Sequence, residues 1–83
     1  MDKDQQEIRQ WLVGQIADSL HVSRDVVPTD APVVDLGLSS VEAVSLTANI
    51  EEFLGIETDP AMVWEHPTID QMVEHLCAGP STA

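Results

Sequence analysis

The feature that most constrains the fold is a capped amphipathic helix in the middle of the chain, over residues 39–54. Its start, Ser39-Ser40-Val41-Glu42, matches the Ser-x-x-Glu capping box, in which the two outer residues each bond the other's backbone N–H. Apolar residues then recur at three- and four-residue steps, which predicts a stripe facing a core. The stripe consists of Ala43, Leu46, Ile50, Phe53 and Leu54, with Thr47 at its margin.

Ser40 directly follows the predicted cap and falls in the first helical turn. Backbone N–H groups lack partners there and the helix dipole is positive, so an exposed hydroxyl at this position suits an attached phosphate. Beside Ser40 a second face carries apolar side chains bordered by Ser45 and acidic residues, which predicts a docking surface. This face comprises Val41, Val44, Ala48, Glu51 and Glu52. Two alternatives stay open: the serines only start a helix, and the valines pack beneath a loop.

Caps and periodicity predict three more helices, of which one is short. The first runs from Asp4 to Leu20 and the last opens at Pro67-Thr68, where Thr68 and Gln71 repeat the capping-box pattern. Between the middle and last helices, Asp59 as N-cap with Pro60 at the first helical position predicts a short helix over 60–65. The apolar stripes of the first and last helices are Ile8, Trp11, Leu12, Ile16 and Leu20, and Ile69, Met72, Val73 and Leu76.

A long connection, residues 21–38, links the first helix to the capped one. Pro28, Pro32 and Gly37 break any helix there, yet structureless loops of this length are uncommon in compact domains. Its apolar residues are therefore expected to anchor it over the bundle; they are Val26, Val27, Val33, Leu36 and Leu38. The sequence predicts an all-α four-helix bundle with three longer helices, a short third helix and a long ordered loop between helices one and two. It forms a single domain over 1–83, ordered from about 4 to 78.

The charge balance limits the partners of this 83-residue chain. Fifteen acidic residues against three basic ones give a formal charge of −12. Nucleic acid and anionic membrane surfaces would be repelled, whereas basic protein surfaces would be attracted. A lone cysteine, Cys77, excludes an internal disulfide and fits a reducing compartment, and no apolar run reaches membrane-spanning length. A cytoplasmic protein, monomeric as an isolated domain, is predicted.

Motifs for catalysis and metal binding are missing from the sequence. The segment 37–41 is no G-x-S-x-G elbow because Val41 stands where the second glycine belongs, and there is no Walker loop, CxxC pair or HExxH. Asp25, Asp30 and Asp35 do not have the EF-hand spacing. The chain is therefore predicted to be neither an enzyme nor a metal-binding protein.

Two segments, DLGLSS at 35–40 and WEHPT at 64–68, resemble the acyl carrier proteins, especially the carrier domains of polyketide synthases. The family motif is of the Gly-x-Asp-Ser-Leu type, and the resemblance extends from about Ile8 to Leu76. It implies that Ser40 bears a covalent 4'-phosphopantetheine group, with Gly37 and Ser39 forming the adjacent part of the site. Two positions depart from the motif: Ser39 replaces the aspartate and Val41 replaces the leucine.

The resemblance also implies the partners. They are a phosphopantetheinyl transferase, an acyl-loading enzyme (an acyltransferase or an acyl-adenylating ligase) and a ketosynthase or other synthase domains. In carrier proteins the short third helix lines the pocket beneath the arm, which makes Met62 a candidate contact and Trp64 a weaker one, expected in the core. Partner contacts are implied for Val41, Glu42, Val44, Ala48, Glu51 and Glu52. Family members often carry an acid where this chain has Ser45.

Two alternative functions stay open. A peptidyl carrier, loaded with amino acids, usually has Gly-Gly-x-Ser before the arm, and Leu36-Gly37-Leu38-Ser39 does not match that pattern. The same bundle could also act as an unmodified acidic interaction module, whose binding would not depend on the Ser40 hydroxyl. The leading prediction is an acyl carrier protein that holds acyl intermediates as thioesters and passes them between enzymes of polyketide or fatty-acid-like biosynthesis.

Overall fold

The computed structural model describes residues 4–78, and that part of the chain is helical. Two short 3-10 turns, Arg24–Val26 and Val33–Leu36, lie in the connection after the first helix. The α-helices are α1 Gln5–Leu20, α2 Ser40–Leu54, α3 Met62–Glu65 and α4 Ile69–Ala78. The predicted bundle of three longer helices and a short third one, with an ordered loop after helix one, is confirmed. The predicted limits of the ordered domain stay a prediction, because the chain ends lie outside the described residues.

Side-chain hydrogen bonds cap the N-terminal ends of the three longer helices, as the sequence predicted. Asp4 accepts a hydrogen bond from the Glu7 backbone N–H at 2.8 Å and caps α1. Thr68 and Gln71 exchange side-chain to backbone bonds of 3.0 and 3.3 Å at the start of α4. Each cap satisfies backbone donors that a helix end otherwise leaves unpaired. At the far end of α2, Gly55 adopts a left-handed φ of 69°, which glycine tolerates without strain.

The apolar stripes of the longer helices meet in one core. Their central residues are buried, and the residues at the edges of the stripes are half-buried. Among the latter, Trp11 of α1 lies parallel to Phe53 of α2, with 4.2 Å between ring centroids and 4° between ring planes. The buried side chains of the four helices are Ile8, Leu12, Ile16, Ala17, Ala43, Leu46, Thr47, Ile50, Met62, Val63, Ile69, Met72, Val73 and Leu76.

The connection between α1 and α2 is attached to the bundle by side-chain burial and by backbone bonds. Val27, Val33 and Leu38 are buried, as predicted. The Val33 N–H donates to the Pro67 carbonyl oxygen at 2.8 Å, just before α4. The expectation for Val26 was wrong: its side chain is 63% exposed, because the 3-10 turn directs the neighbouring Val27 inward instead.

One acidic residue of α4 ties three elements together. The Asp70 carboxylate accepts hydrogen bonds from Arg9 Nε of α1 at 3.0 Å and from the Thr29 hydroxyl of the connection at 3.2 Å. The Asp70 backbone N–H also donates to the Thr29 carbonyl oxygen at 3.0 Å. These contacts hold the connection between α1 and α4, so its course does not depend on local turn preferences alone.

The short third helix starts later than predicted. Asp59 Oδ1 accepts from the Ala61 N–H at 2.8 Å, which closes a turn through Pro60. The side chain of Asp59 is thereby used in a turn before the helix, and α3 begins only at Met62. The expected burial of Trp64 was also wrong, since it is 52% exposed. A helix of four residues offers too few positions for periodicity to distinguish its faces.

Candidate functional site

The start of α2 presents Ser40 to solvent on a rigid support. Ser39 Oγ accepts from the Glu42 N–H at 3.2 Å, and Glu42 Oε1 accepts from the Ser39 N–H at 2.9 Å. This reciprocal capping box makes Ser40 the first residue of the helix. The side chain of Ser40 is exposed and forms no hydrogen bond within the described part of the chain. Its hydroxyl is therefore accessible, whereas that of Ser39 is engaged in the cap.

The residues before Ser40 fix the direction from which the chain reaches the helix. Leu38 is buried, and its N–H donates to the Val33 carbonyl oxygen at 3.3 Å. Gly37 has a φ of 113°, a left-handed conformation that L side chains rarely adopt. A Cβ at Gly37 would lie 3.5 Å from Leu20 Cδ2, so the backbone conformation restricts this position more than the available space does. Gly37 thus allows the turn that leads into the cap.

The surroundings of Ser40 fit a phosphodiester. The capping box uses the N–H groups of Ser39 and Glu42 and leaves those of Ser40 and Val41 outside it. First-turn N–H groups and the helix dipole both favour a phosphate at this end of a helix. Glu42 brings a negative charge nearby, but its carboxylate is already bonded to the Ser39 N–H. The chemistry of the site therefore suits a phosphate ester on the Ser40 oxygen.

An apolar strip extends from Ser40 along α2. Val41 is 75% exposed, Val44 is 53% exposed, and Ala48 is exposed as well. The alternative that these valines pack beneath a loop is thereby excluded. We call Val41, Val44 and Ala48 the α2 strip. Their contact with partner enzymes stays a prediction.

The three glutamates predicted to contact partners differ in their contacts within the protein. Glu42 is half-buried in the capping box, and Glu51 Oε2 accepts from the Thr58 N–H at 2.8 Å, which fastens the chain after α2. Glu52 is exposed, but it lines a groove together with Trp11, on the side where α2 meets α1. The capping bond of Glu42 was predicted, but the Glu51 bond was not, because it forms only once the chain turns back after Gly55. Partner contacts of all three glutamates stay predictions.

Other candidate residues do not gather around Ser40. Met62 is buried in the core at 2% exposure, so a contact between its side chain and an arm stays a prediction that needs the core to open. His66 and His75 stack on each other, with 4.3 Å between ring centroids, and neither forms a hydrogen bond with a serine within residues 4–78. Within residues 4–78 no group of three or more His, Cys, Asp or Glu side chains forms a possible metal site. No helix in the described part of the chain is both long and apolar enough to cross a membrane.

Known proteins share this sequence pattern. The family model described as the phosphopantetheine attachment site matches residues 10–76. A phenolphthiocerol/phthiocerol polyketide synthase protein of Mycobacterium tuberculosis is 36% identical over 72 residues, a match that covers 87% of this chain and 4% of that protein. The chain therefore corresponds to a small part of the length of the curated relatives that it matches.

Solved structures share the fold. A free-standing peptidyl carrier protein from a secondary metabolic pathway of Acinetobacter baumannii superposes with a TM-score of 0.88 at 25% identity, covering 93% of this chain and 96% of that one. An acyl carrier protein from Anabaena sp. PCC 7120 with a variant phosphopantetheinylation-site sequence gives 0.82 at 29% identity, covering 92% and 86%. Sequence, fold and the accessible serine at a helix start agree. The chain belongs to the phosphopantetheine attachment-site family and is a non-catalytic carrier domain of the polyketide-synthase type, which holds pathway intermediates on a phosphopantetheine group.

Proposed function

We propose that Ser40 is the residue that carries the phosphopantetheine group. The observation that supports this assignment is the exposure of the Ser40 hydroxyl in the first turn of a helix held by a reciprocal capping box. Modification of the neighbouring Ser39 would compete with its bond to the Glu42 N–H and weaken the start of α2. In attachment, Ser40 Oγ bonds to the pantetheine phosphorus of coenzyme A, adenosine 3',5'-bisphosphate leaves, and the hydroxyl proton passes to the transferase.

The bound group supplies a terminal thiol on which an acyl intermediate is held as a thioester. The chain contributes presentation and docking: a fixed helix start, an open approach to Ser40, and the α2 strip beside it. We propose that a phosphopantetheinyl transferase, an acyltransferase or acyl-adenylating ligase, and a ketosynthase or other synthase domains dock there in turn. Brief association with each enzyme suits rapid exchange between partners. A cytoplasmic location and a monomeric isolated domain stay part of the proposal.

The cargo proposed is an acyl group of a polyketide or fatty-acid-like pathway, because the relatives of known sequence include a polyketide synthase. Loading with amino acids is the second candidate, supported by the superposition on a free-standing peptidyl carrier. The segment Leu36-Gly37-Leu38-Ser39 argues against it, since it lacks the Gly-Gly-x-Ser pattern of peptidyl carriers. The Anabaena carrier has a variant phosphopantetheinylation-site sequence, which supports tolerance of departures from the family motif in general.

Intact-mass spectrometry tests the assignment. The protein is incubated with coenzyme A and a transferase of broad specificity, and a gain of one phosphopantetheine mass is expected. Ser40→Ala should remove that gain completely. Ser45→Ala is the matched control, because Ser45 is an exposed serine on the same helix, and it should be modified like the unsubstituted protein. Modification of the Ser40→Ala protein would place the group on another residue, and modification of none of the proteins would favour an unmodified interaction module; either result would contradict the proposal.

A further inference from the structure

A row of side chains at four-residue steps runs along α2 from Ser40. It consists of Ser40, Val44, Ala48 and Glu52. Residues four apart are neighbours on a helix, with about 5–6 Å between Cβ atoms, so Val44 lies beside Ser40. Ala48 lies about 12 Å from Ser40 along the helix axis. A flexible group fixed to Ser40 can therefore reach the α2 strip without any change in the bundle.

The α2 strip is apolar, exposed and free of charge. Val41 and Val44 are each more than half exposed, and Ala48 is exposed as well. Ser45, which adjoins them, is exposed and uncharged, and the acidic border of this face begins only at Glu51. Apolar surface in contact with water favours contact with another apolar group. The strip can therefore hold an apolar group that is brought close to it.

The opposite side of α2, which faces the core, is closely packed. Ala43 and Leu46 of α2 and Met62 of α3 are each at most 3% exposed. On the same side the Thr47 hydroxyl donates to the Ala43 carbonyl oxygen at 2.9 Å. An acyl chain that entered between α2 and α3 would have to displace these side chains, whereas contact with the α2 strip displaces only water.

We propose that the α2 strip holds the acyl chain of the loaded carrier between its visits to enzymes, which requires the attachment of phosphopantetheine to Ser40 proposed above. The strip consists of apolar and small side chains, so it suits an aliphatic chain and not a charged one. Apolar burial stabilises in proportion to the area removed from water, so longer aliphatic chains should occupy the strip more fully. Because the chain is tethered beside the strip, its effective concentration is high and a weak contact is sufficient.

This contact couples the docking of an enzyme to the release of the cargo. The α2 strip is also the surface proposed above for the enzymes, and it cannot contact an enzyme and the acyl chain at the same time. An enzyme that docks on α2 therefore displaces the chain, which is then free to enter that enzyme's active site. Between visits the chain stays on the surface of its own carrier.

The contact is tested by NMR on protein with ¹³C-labelled methyl groups. A transferase of broad specificity loads it from coenzyme A, acetyl-coenzyme A or octanoyl-coenzyme A, and intact mass verifies each product. The methyl signals of Val41 and Val44 should shift little with the acetyl group and clearly with the octanoyl group. Nuclear Overhauser effects should join these methyl groups to the octanoyl chain. Val26 is the internal control, because it is a valine with 63% exposure that lies in the connection and not on α2.

Matched substitutions separate the strip from apolar surface elsewhere. Val44→Ser should reduce the octanoyl-dependent shift of Val41 about two- to fivefold, because part of the apolar contact is lost. Val26→Ser makes the same change at an exposed position of the connection and should leave that shift unchanged. Ser45→Glu places a charge beside the strip and should reduce the shift more than Ser45→Gln does. All three substituted positions are exposed, so the proteins should fold.

Three results would overturn the proposal: equal shifts with the acetyl and octanoyl groups, equal losses in Val44→Ser and Val26→Ser, or Overhauser effects to Leu46 and Met62 in place of the strip. The last result would place the acyl chain in the core. Intact mass distinguishes these results from a failure at Ser40. Absence of loading would contradict the assignment of Ser40 and the strip contact with it, whereas a loaded protein without the expected shifts would contradict the strip contact alone.

Discussion

The start of α2 and the connection that leads into it are held by opposite kinds of contact. At the start of α2, Ser39 and Glu42 bond each other across three positions, and both groups lie at the surface. In the connection, Thr29 bonds to Asp70 across 41 positions, and the same carboxylate receives Arg9 across 61. One region is built from neighbours in sequence, the other from neighbours in space.

The difference separates two requirements of a carrier domain. The capping box keeps the residues around Ser40 rigid without using core contacts, so this end of α2 can stay exposed. The connection uses buried side chains to fix where that exposed end sits on the bundle. The contrast is sharpest between two valines: Val33 of the connection is 0% exposed, whereas Val41 of the α2 strip is 75% exposed.

The largest effect is expected from truncating the buried valine. Val33→Ala should lower the free energy of unfolding by about 2 kcal/mol, because it removes buried methyl groups and leaves a cavity. Val41→Ala, the same change at an exposed position, should alter the free energy by less than about 0.5 kcal/mol. Urea denaturation followed by circular dichroism measures both. Equal losses at the two positions would show that the α2 strip is packed in solution.

An intermediate effect is expected at the cap. Ser39→Ala should cost about 1 kcal/mol of unfolding free energy, since the Glu42 N–H loses its acceptor. Ser39→Asp restores a capping oxygen and should stay within about 0.5 kcal/mol of the unsubstituted protein. Ser45→Ala, at an exposed position within α2, is the control and should not destabilise the protein. A loss in Ser39→Asp as large as in Ser39→Ala would mean that the local cap does not hold the start of α2.

The smallest effect is expected at the ion pair of the connection. Asp70→Asn should cost about 0.5 kcal/mol, because the Arg9 and Asp70 side chains are 30% and 41% exposed and water screens their attraction. Asp18→Asn removes the same charge from an exposed position of α1 that has no ion pair among the described residues, and it should cost nothing. In high salt the difference between the two variants should shrink, while both gain stability as the self-repulsion of a chain of charge −12 is screened. Urea denaturation at low and high salt measures this, and a difference that persists in high salt would contradict an electrostatic origin.

Much of the candidate site could be predicted from the sequence because its parts are local. The capping boxes at Ser39 and Thr68 require only residues three positions apart, and both form as predicted. The stripe of α2 likewise follows from helical geometry, which places every third or fourth residue on one face. Exposure of Val41 and Val44 then follows, because they lie outside that stripe.

Predictions failed where burial depends on which elements meet. Val26 and Val27 are adjacent and chemically identical, yet only Val27 is buried, because the 3-10 turn sets which of them points inward. In α3 the larger Trp64 lies outside and Met62 lies inside. Neither hydrophobicity nor periodicity predicts which of two such neighbours is buried, because a turn or a four-residue helix is too short to contain a repeating apolar pattern.

The sequence by itself determined the helices, their caps and the position of Ser40 at the start of α2, because each depends on contacts within about one helical turn. Only the tertiary structure decided which apolar residues of the connection are buried, that Asp70 joins Arg9 to Thr29, and that Glu52 lies beside Trp11. These pairs are far apart along the chain, and their separation in space is set by how the helices pack.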